Sequence, residues 1–365
     1  MKNSAEILSE RSKPPRLEWL DALKGGGITL VVLGHLPQVA ASSVGAVIYA
    51  FHVPLFFALS GASLCGASPR SMFRRVFVLL WVYVAVGLLS LPFALWRVTS
   101  ASAWEVLAGL LYGSPVTLLL GPLWFLPALV MAIPLAWLAM RPVAYVKGRL
   151  LRHAWLGFAA ALLLAAGSLV FMLEPPRFAH GLHLAWGHFS SAGAFWSADV
   201  AVLGSGFVIV GALVAALIEE GGTRRAMVLA GLALLVFVAV FHASPRVELA
   251  YGAWHEPWRD SAAAVAAIVL LTALAKLATG HLAWLASIGR ASLPILVLHV
   301  VAYTLLKPVL LGAPAWQAVP LGLIAGVGIP LWLDRTLLVK KSSLSWVFYP
   351  RPYIDRWLMR VPLPA

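Results

Sequence analysis

Long apolar runs, separated by short polar stretches that contain proline and glycine, set the pattern of this chain. Ten of them are about 17–25 residues long, the length of an α-helix that crosses the hydrocarbon core of a bilayer. They lie at approximately 23–40, 44–66, 76–96, 122–140, 154–174, 196–219, 226–244, 261–280, 291–311 and 315–338. The pattern therefore predicts an all-α, polytopic integral membrane protein with about ten transmembrane helices.

The distribution of basic residues predicts the orientation. If consecutive runs cross the membrane in turn, 22 of the 27 lysines and arginines fall on the side of the N-terminus and 5 on the other. Because basic residues are retained in the cytoplasm, both termini are expected there. We expect a cytoplasmic N-terminal segment at 1–20, one membrane domain at 21–340 and a basic cytoplasmic tail at 341–365. Residues 1–20 lack the apolar core of a signal peptide, and we expect a multi-pass protein of the inner (plasma) membrane.

Composition excludes several other classes of protein. The chain is 61% hydrophobic and 11% charged, with a mean hydropathy of +0.90, whereas soluble domains are about 25% charged and 45–50% apolar. The net charge of +13 comes from short basic runs between apolar segments. This distribution is typical of membrane anchoring, so we expect no nucleic acid as a partner. Cys65 is the single cysteine, which excludes an intramolecular disulfide and a thiolate metal cluster.

Two predicted external connections contain groups with binding chemistry. His180, His183 and His188 lie in 175–195 without a carboxylate, and we expect solvated or interfacial histidines and no metal site. The connection 245–260, PRVELAYGAWHEPWRD, mixes carboxylates with aromatic side chains. This mixture suits a sugar, although an aromatic belt at the membrane surface is the more frequent explanation.

Ionisable residues interrupt the first two apolar runs. Such groups cost several kcal/mol in a membrane unless they are paired or face a wet cavity, so a functional role is the default hypothesis. Lys24 and His35 are eleven residues apart, which places them on one helix face about 16 Å apart along the axis. Asp21 can pair with Lys24 at i, i+3, although Lys24 alone would also suit a snorkelling anchor. We expect His35 to take part in proton transfer.

The second run and the residues that follow it add further candidates. Pro54 permits a kink, but a kink does not explain His52 and Ser60 in an otherwise apolar helix. A cluster of three arginines follows, at Arg70, Arg74 and Arg75. Guanidinium groups bind phosphates in a bidentate manner, and they equally serve as cytoplasmic anchors. The chain contains no P-loop, GxSxG or GxGxxG before a helix, which disfavours ATPase, α/β-hydrolase and dinucleotide-binding functions.

Four stretches, in order, resemble acyltransferase family 3, a family of integral-membrane enzymes that mostly acylate carbohydrates. RLEWLDALKGGGITLVVLGH (16–35) resembles the first helix of the family and YAFHVPLFFALSG (49–61) the second. GPLWFLPAL (121–129) resembles the LWFL element that opens a later helix, and IGRASLPILVLH (288–299) resembles a segment near the ninth helix. Together the four matches extend over about 280 residues.

The resemblance implies that an acyl-CoA donor, expected to be acetyl-CoA, approaches from the cytoplasm. The acceptor would be a hydroxyl of a carbohydrate or glycolipid, and the partners would be acyl-CoA, this acceptor and the lipid bilayer. No bound cofactor is implied. Lys24 and His35 occupy the places of the basic residue and the essential histidine of the first-helix motif. Supporting residues are then expected at Asp21, His52, Ser60, Trp124 and His299.

The chain departs from the family pattern at two positions. Lys24 stands where arginine is common, and lysine offers a point charge rather than a planar fork. Aligned on Tyr83, Arg75 takes the first place of two arginines spaced three apart before the third helix, and Val78 takes the second. Arg74 or Arg70 would then replace the missing arginine in binding the donor.

These observations predict a membrane O-acyltransferase in which His35 is the general base. Lys24, Arg74, Arg75 and Arg70 would bind donor phosphates or stabilise developing negative charge. The main alternative is a transporter or flippase for a lipid-linked sugar or small solute, and we find no inverted repeat typical of transporters. A non-catalytic membrane partner of a larger assembly is a further alternative. It predicts that replacement of His35 is tolerated.

Overall fold

Helices make up nearly all of the regular structure. The computed structural model describes residues 17–97, 102–118, 120–173, 193–243, 246–338, 345–350, 352 and 354–355. The α-helices are α1 (Glu18–Gly34), α2 (Pro37–Ala40), α3 (Ser43–Gly61), α4 (Pro69–Leu89), α5 (Leu91–Arg97), α6 (Ala103–Tyr112), α7 (Phe125–Met140), α8 (Arg149–Leu173), α9 (Ala198–Val240), α10 (Pro257–Leu277), α11 (Ala283–Arg290), α12 (Ser292–Gly312), α13 (Ala315–Leu323), α14 (Ile329–Leu333) and α15 (Ser345–Phe348). Two π-helical segments, Ile324–Gly328 and Asp334–Leu338, flank α14.

The prediction of an all-α fold is confirmed. Among the described residues, extended pairing is limited to one isolated bridge between Glu248 and Ala253. Eight helices in this part of the chain are long and apolar enough to cross a membrane. The predicted number of about ten differs because α1 has only 17 residues and because the sixth and seventh predicted runs lie in one helix, α9. The count of ten, the orientation of the termini and the segment boundaries at 1–20, 21–340 and 341–365 remain predictions.

The helix α9 contains a break at Gly222. This residue has φ 62° and ψ −164°, outside the helical region, and glycine reaches such positive φ values at little cost. The break lies in the polar stretch between the predicted runs 196–219 and 226–244. The sequence therefore located the interruption correctly, although the polypeptide continues as helix on both sides of it.

The first predicted run, 23–40, is wrong at its C-terminal end. Helix α1 ends at Gly34, His35 caps it, and Pro37 begins the separate short helix α2. Leu36 has an extended backbone, with φ −72° and ψ 131°. The proline ring disfavours helical geometry at the residue before it, which separates the two helices at this point. His35 consequently lies at a helix terminus and not within a helix.

Close helix contacts at glycines hold the central part of the bundle together. The N-terminal half of α9 packs against α3, α7, α8 and α10, and α11 packs along α1. A Cβ atom at Gly61 would lie 1.8 Å from the Val208 carbonyl oxygen, and one at Gly25 would lie 2.0 Å from that of Leu285. Small residues of this kind let helix backbones approach closely in membranes. These two contacts fix α3 against α9 and α1 against α11, and both α1 and α3 line the candidate site.

Candidate active site

A cavity of about 920 Å³ lies between α1, α3, α4, α7 and α12. Cationic side chains line one end, at Lys24, Arg74, Arg75 and Arg290. Glu248, Tyr251 and Lys307 are among the residues that line it beyond the histidines. Eight of the ten residues predicted for the site line this one cavity: Lys24, His35, His52, Ser60, Arg74, Arg75, Trp124 and His299.

Three imidazoles meet in the middle of the cavity. The ring centroid of His35 lies 6.4 Å from that of His52 and 5.2 Å from that of His299. His52 and His299 are buried, whereas His35 is half-buried. The three residues come from α3, α12 and the C-terminal end of α1, so only the folded bundle brings them together. We call them the histidine cluster.

Each imidazole of the histidine cluster is held by the same local contact. Nδ1 of His35 lies 2.7 Å from the carbonyl oxygen of Val31, and His52 and His299 make the equivalent contacts, each at 3.0 Å, to the carbonyl four residues earlier. A carbonyl oxygen only accepts hydrogen bonds, so Nδ1 carries the proton in each ring. Nε2 of a neutral ring is then an acceptor, which is the form that a general base requires.

Two tyrosines surround the histidine cluster. The ring of Tyr49 lies 4.8 Å from that of His52 and 6.3 Å from that of His35. Tyr303 lies 5.8 Å from His299 and donates its hydroxyl hydrogen to the Val32 carbonyl at 2.9 Å. This hydrogen bond ties α12 to the last turn of α1. It therefore fixes the backbone that presents His35.

The cationic end combines residues from α1 and α4. Lys24 Nζ lies 4.0 Å from the buried Asp21 carboxylate. Arg74 lies 3.6 Å from the Asp355 carboxylate. Both terminal nitrogens of Arg75 donate to Ser63, at 3.0 Å to Oγ and 2.7 Å to the carbonyl oxygen. These contacts hold three cations at one end of a largely apolar cavity.

A family model described as an acyltransferase domain, that of acyltransferase family 3, matches residues 17–335. The chain belongs to acyltransferase family 3. No curated protein and no solved structure matches the chain. The family resemblance of the four short stretches is thereby confirmed, and with it a membrane acyltransferase.

The remaining predicted residues of this acyltransferase lie beside the cavity or form its wall. Asp21 is buried behind Lys24 and does not line the cavity, and Arg70 is exposed on α4 and does not line it either. Ser60 Oγ donates to the Phe56 carbonyl at 3.0 Å. Trp124 lies in a 3₁₀ turn, Gly121–Trp124, and is buried. A donor-binding role for Arg70 stays a prediction without a contact that supports it.

The position at which the acyltransferase lacks the second family arginine also faces the cavity. Val78 lines it next to Arg74 and Arg75. Within the described part of the chain, the buried Nε of Arg74 has no hydrogen-bond partner. Arg290 lines the same end from the last turn of α11. Arg74 and Arg290 therefore bring guanidinium groups to the end of the cavity at which the second family arginine is missing.

Several cavity residues were not predicted from the sequence. Tyr49 and Tyr303 each lie near a predicted histidine in sequence, three residues before His52 and four after His299. Residues three or four positions apart lie on the same face of a helix, and this spacing was the signal that could have identified the two tyrosines. Arg290 was part of a matching stretch, but its cytoplasmic position suggested an anchor. Glu248 lies in the connection 245–260, whose mixture of carboxylates and aromatic side chains suits a sugar, but nothing in that segment indicates that it lines the same cavity as α1 and α3.

No group of three or more metal-ligating side chains able to hold an ion is found among the described residues. His180, His183 and His188 lie outside them. The histidine cluster itself contains no carboxylate or thiolate, and each Nδ1 is already committed to a carbonyl. The cluster is suited to proton transfer and hydrogen bonding.

Proposed function

We propose that this chain is a membrane O-acyltransferase of the inner (plasma) membrane. It moves an acyl group, expected to be acetyl, from cytoplasmic acyl-CoA to a hydroxyl of a carbohydrate or glycolipid of the cell envelope. The observation that carries the proposal is the cavity, in which His35 lies between a cationic end and an end lined by Glu248 and Tyr251. In such an arrangement, the acyl donor and the acceptor hydroxyl can meet at one imidazole.

In the proposed reaction, His35 is the general base. Nε2 removes the proton of the acceptor hydroxyl as its oxygen attacks the thioester carbonyl carbon, and a new C–O bond forms. The tetrahedral intermediate collapses, the C–S bond breaks, and the imidazolium returns the proton to the CoA thiolate. A positioned base of this kind contributes about 10²–10⁴-fold to the rate. The products are an ester and free CoA, and no other reactant is needed.

His35 is better suited to this role than His52 or His299. It is the half-buried member of the histidine cluster, so substrate has access to it. It is also the C-cap of α1, whereas the other two lie within helices. Unpaired carbonyl groups at a helix C-terminus favour a positive charge by about 0.3–1 kcal/mol. The end of α1 therefore offsets part of the cost of forming, in this cavity, the imidazolium that a general base becomes.

The cationic end is the proposed site for the phosphates of CoA. Lys24, Arg74 and Arg75 lie there, and phosphates form short, charge-assisted hydrogen bonds with such groups. Lys24 is about 16 Å along α1 from His35. The long flexible arm of CoA would extend along that face and place its thioester next to the histidine cluster.

The proposal predicts that His35→Ala and His35→Gln lose acyl transfer while the protein still inserts into membranes. Transfer from radiolabelled acetyl-CoA into lipid and carbohydrate fractions of membranes should fall by about 10²-fold or more. His153→Ala is the matched control. His153, on α8, lies 3.6 Å from Glu220 of α9 and does not line the cavity, so acyl transfer by this variant should equal that of the wild type.

If the His35→Ala variant transferred acyl groups at the wild-type rate, His35 could not be the general base. A wild-type chain that forms no acylated product, but moves a lipid-linked sugar between leaflets without acetyl-CoA, would instead support the transporter. Membrane abundance of each variant, measured by immunoblot, separates lost chemistry from lost folding.

A further inference from the structure

A compact turn beyond the histidine cluster presents a carboxylate and a phenol to the cavity. Glu248 pairs with Ala253 through two backbone hydrogen bonds of 2.8 and 3.1 Å. Gly252 closes the turn with φ 72°, and the Tyr251 amide donates to the Glu248 carbonyl at 3.0 Å. Both Glu248 and Tyr251 line the cavity that contains His35. We call residues 246–256 the acidic loop.

Three aromatic residues in and beside the acidic loop lie in different environments. Trp254 is buried and its Nε1 lies 3.2 Å from Ser168 Oγ, so it belongs to the packing of α8. Trp258 is 69% exposed and does not line the cavity, which suits the membrane surface. Only Tyr251 of these three has access to the cavity. The structure therefore separates an exposed aromatic residue, Trp258, from one that lines the cavity, Tyr251.

A network of contacts fixes the acidic loop beside the histidine cluster. Arg246 donates to Glu248 at 2.7 Å and to the Ala40 carbonyl at 2.6 Å. Its guanidinium carbon also lies 4.2 Å from the centre of the Tyr49 ring, and Tyr49 contacts His52 and His35. Arg246 and Tyr49 thus link Glu248 to the histidine cluster, and the contact with Arg246 orients the Glu248 carboxylate.

We propose that the acidic loop is the acceptor subsite, in which Glu248 and Tyr251 bind a carbohydrate bearing several hydroxyl groups. This inference rests on the proposed acyltransferase function. The Glu248 carboxylate accepts hydrogen bonds from hydroxyls next to the one that is acylated. The ring of Tyr251 packs against a sugar face. The subsite thereby presents one hydroxyl to Nε2 of His35.

The chemistry of the two side chains fits this role. A carboxylate has two oxygens and about four lone pairs, one of which here serves Arg246, so acceptor capacity remains for vicinal hydroxyls. Burial, followed by the nearby Glu248 carboxylate, raises the pKa of Tyr251 above its usual value. The phenol consequently keeps its proton and its hydrogen-bond donor. A donor, a charged acceptor and an apolar ring face form a set that matches the surface of a sugar.

The test compares Glu248→Gln with Glu256→Gln in cells that lack the native chain. Glu256 belongs to the same loop and pairs with Arg259 at 3.1 Å, but it does not line the cavity. Acylated carbohydrates and glycolipids extracted from these cells are measured by mass spectrometry. Acetyl-CoA binding to each purified full-length variant is measured in parallel with radiolabelled ligand.

In cells with the Glu248→Gln variant, the amount of acylated carbohydrate should fall by about ten- to a hundredfold. A decrease of this size corresponds to the loss of one hydrogen bond to a charged group. The acetyl-CoA affinity of this variant should stay unchanged, Glu248→Asp should restore part of the product, and Glu256→Gln should behave as the wild type. The Tyr251→Leu variant should yield about two- to tenfold less acylated carbohydrate, because the contact between an aromatic ring and the sugar is lost.

Several outcomes would overturn the subsite. These are wild-type product from Glu248→Gln, an equal loss of acetyl-CoA binding in that variant, no rescue by Glu248→Asp, or an acylated product that carries no sugar. If the acyl increments are the same with and without the wild-type chain, the proposed function itself fails.

Discussion

At the residue scale, His299 is the most informative side chain besides His35. It is fully buried, with 0% of its surface exposed, and it lines the cavity. Its Nε2 has no hydrogen-bond partner within the described part of the chain. A buried polar atom without a partner costs about 1–3 kcal/mol. Folding alone therefore gives no reason for an imidazole here, whereas a bound hydroxyl would supply the missing donor.

We therefore expect His299→Phe to separate stability from activity. Phenylalanine fills similar space without the unsatisfied nitrogen, so the free energy of unfolding should stay within about 1 kcal/mol or rise. Acyl transfer should fall by about tenfold or more, since the loss of a hydrogen bond to substrate has that effect. His299→Gln, whose side chain keeps an acceptor, should recover part of the transfer. Detergent thermal stability and radiolabelled transfer measure the two effects, and wild-type transfer by His299→Phe would contradict this role.

At the element scale, the contact between α1 and α11 depends on two glycines. A Cβ atom at Gly25 would lie 2.0 Å from the Leu285 carbonyl oxygen, and one at Gly289 would lie 1.8 Å from that of Asp21. The neighbouring Gly26 has no other atom within 4 Å of the corresponding position. The run of three glycines at the start of the first apolar segment therefore contains one residue that helix packing requires and one that it does not.

The substitutions Gly25→Ala and Gly26→Ala should have opposite effects. The first forces two helix backbones apart and should destabilise the protein by about 1–3 kcal/mol. The second adds a methyl group in open space and should be neutral or stabilise the helix by up to about 1 kcal/mol. Thermal stability in detergent and membrane abundance measure the difference. Equal behaviour of the two variants would contradict the packing of α1 against α11.

At the scale of the whole molecule, the cavity has two chemically different ends. Four cationic side chains lie at the end predicted to face the cytoplasm, and the acidic loop lies, together with Lys307, at the end predicted to face outwards. Such polarity suits a donor and an acceptor that arrive from opposite sides of the bilayer. The orientation rests on the 22 basic residues on one side and the 5 on the other. It is open to a direct test.

Cys65, the single cysteine, supplies that test. It is exposed after α3, on the side predicted to be cytoplasmic. A membrane-impermeant maleimide should label it in inside-out vesicles and not in intact spheroplasts. In a Cys65→Ser background, Ala243→Cys, an exposed position after α9, should show the reverse pattern. Labelling of both positions from the same side of the bilayer would contradict the predicted topology.

Much of the helical framework could be predicted because each helix in a bilayer must satisfy its own backbone hydrogen bonds. This requirement makes the apolar run a local and sufficient signal. A local signal also explains the error at the end of the first run. The ending of α1 depends on Pro37 and its effect on Leu36, which the length of the apolar run hides. The two runs predicted within α9 are separated at Gly222, whose backbone is non-helical, in the polar stretch that separates them in the sequence.

The sequence by itself determined the class of fold, the family and the face that carries Lys24 and His35, because each depends on spacing within one segment. Only the tertiary structure placed His299 at 5.2 Å from His35 and brought Arg246 over the ring of Tyr49. These contacts join residues some 200–260 positions apart. They depend on how glycine contacts and bulky side chains let distant helices pack, and no local pattern of hydrophobic and polar positions encodes that packing.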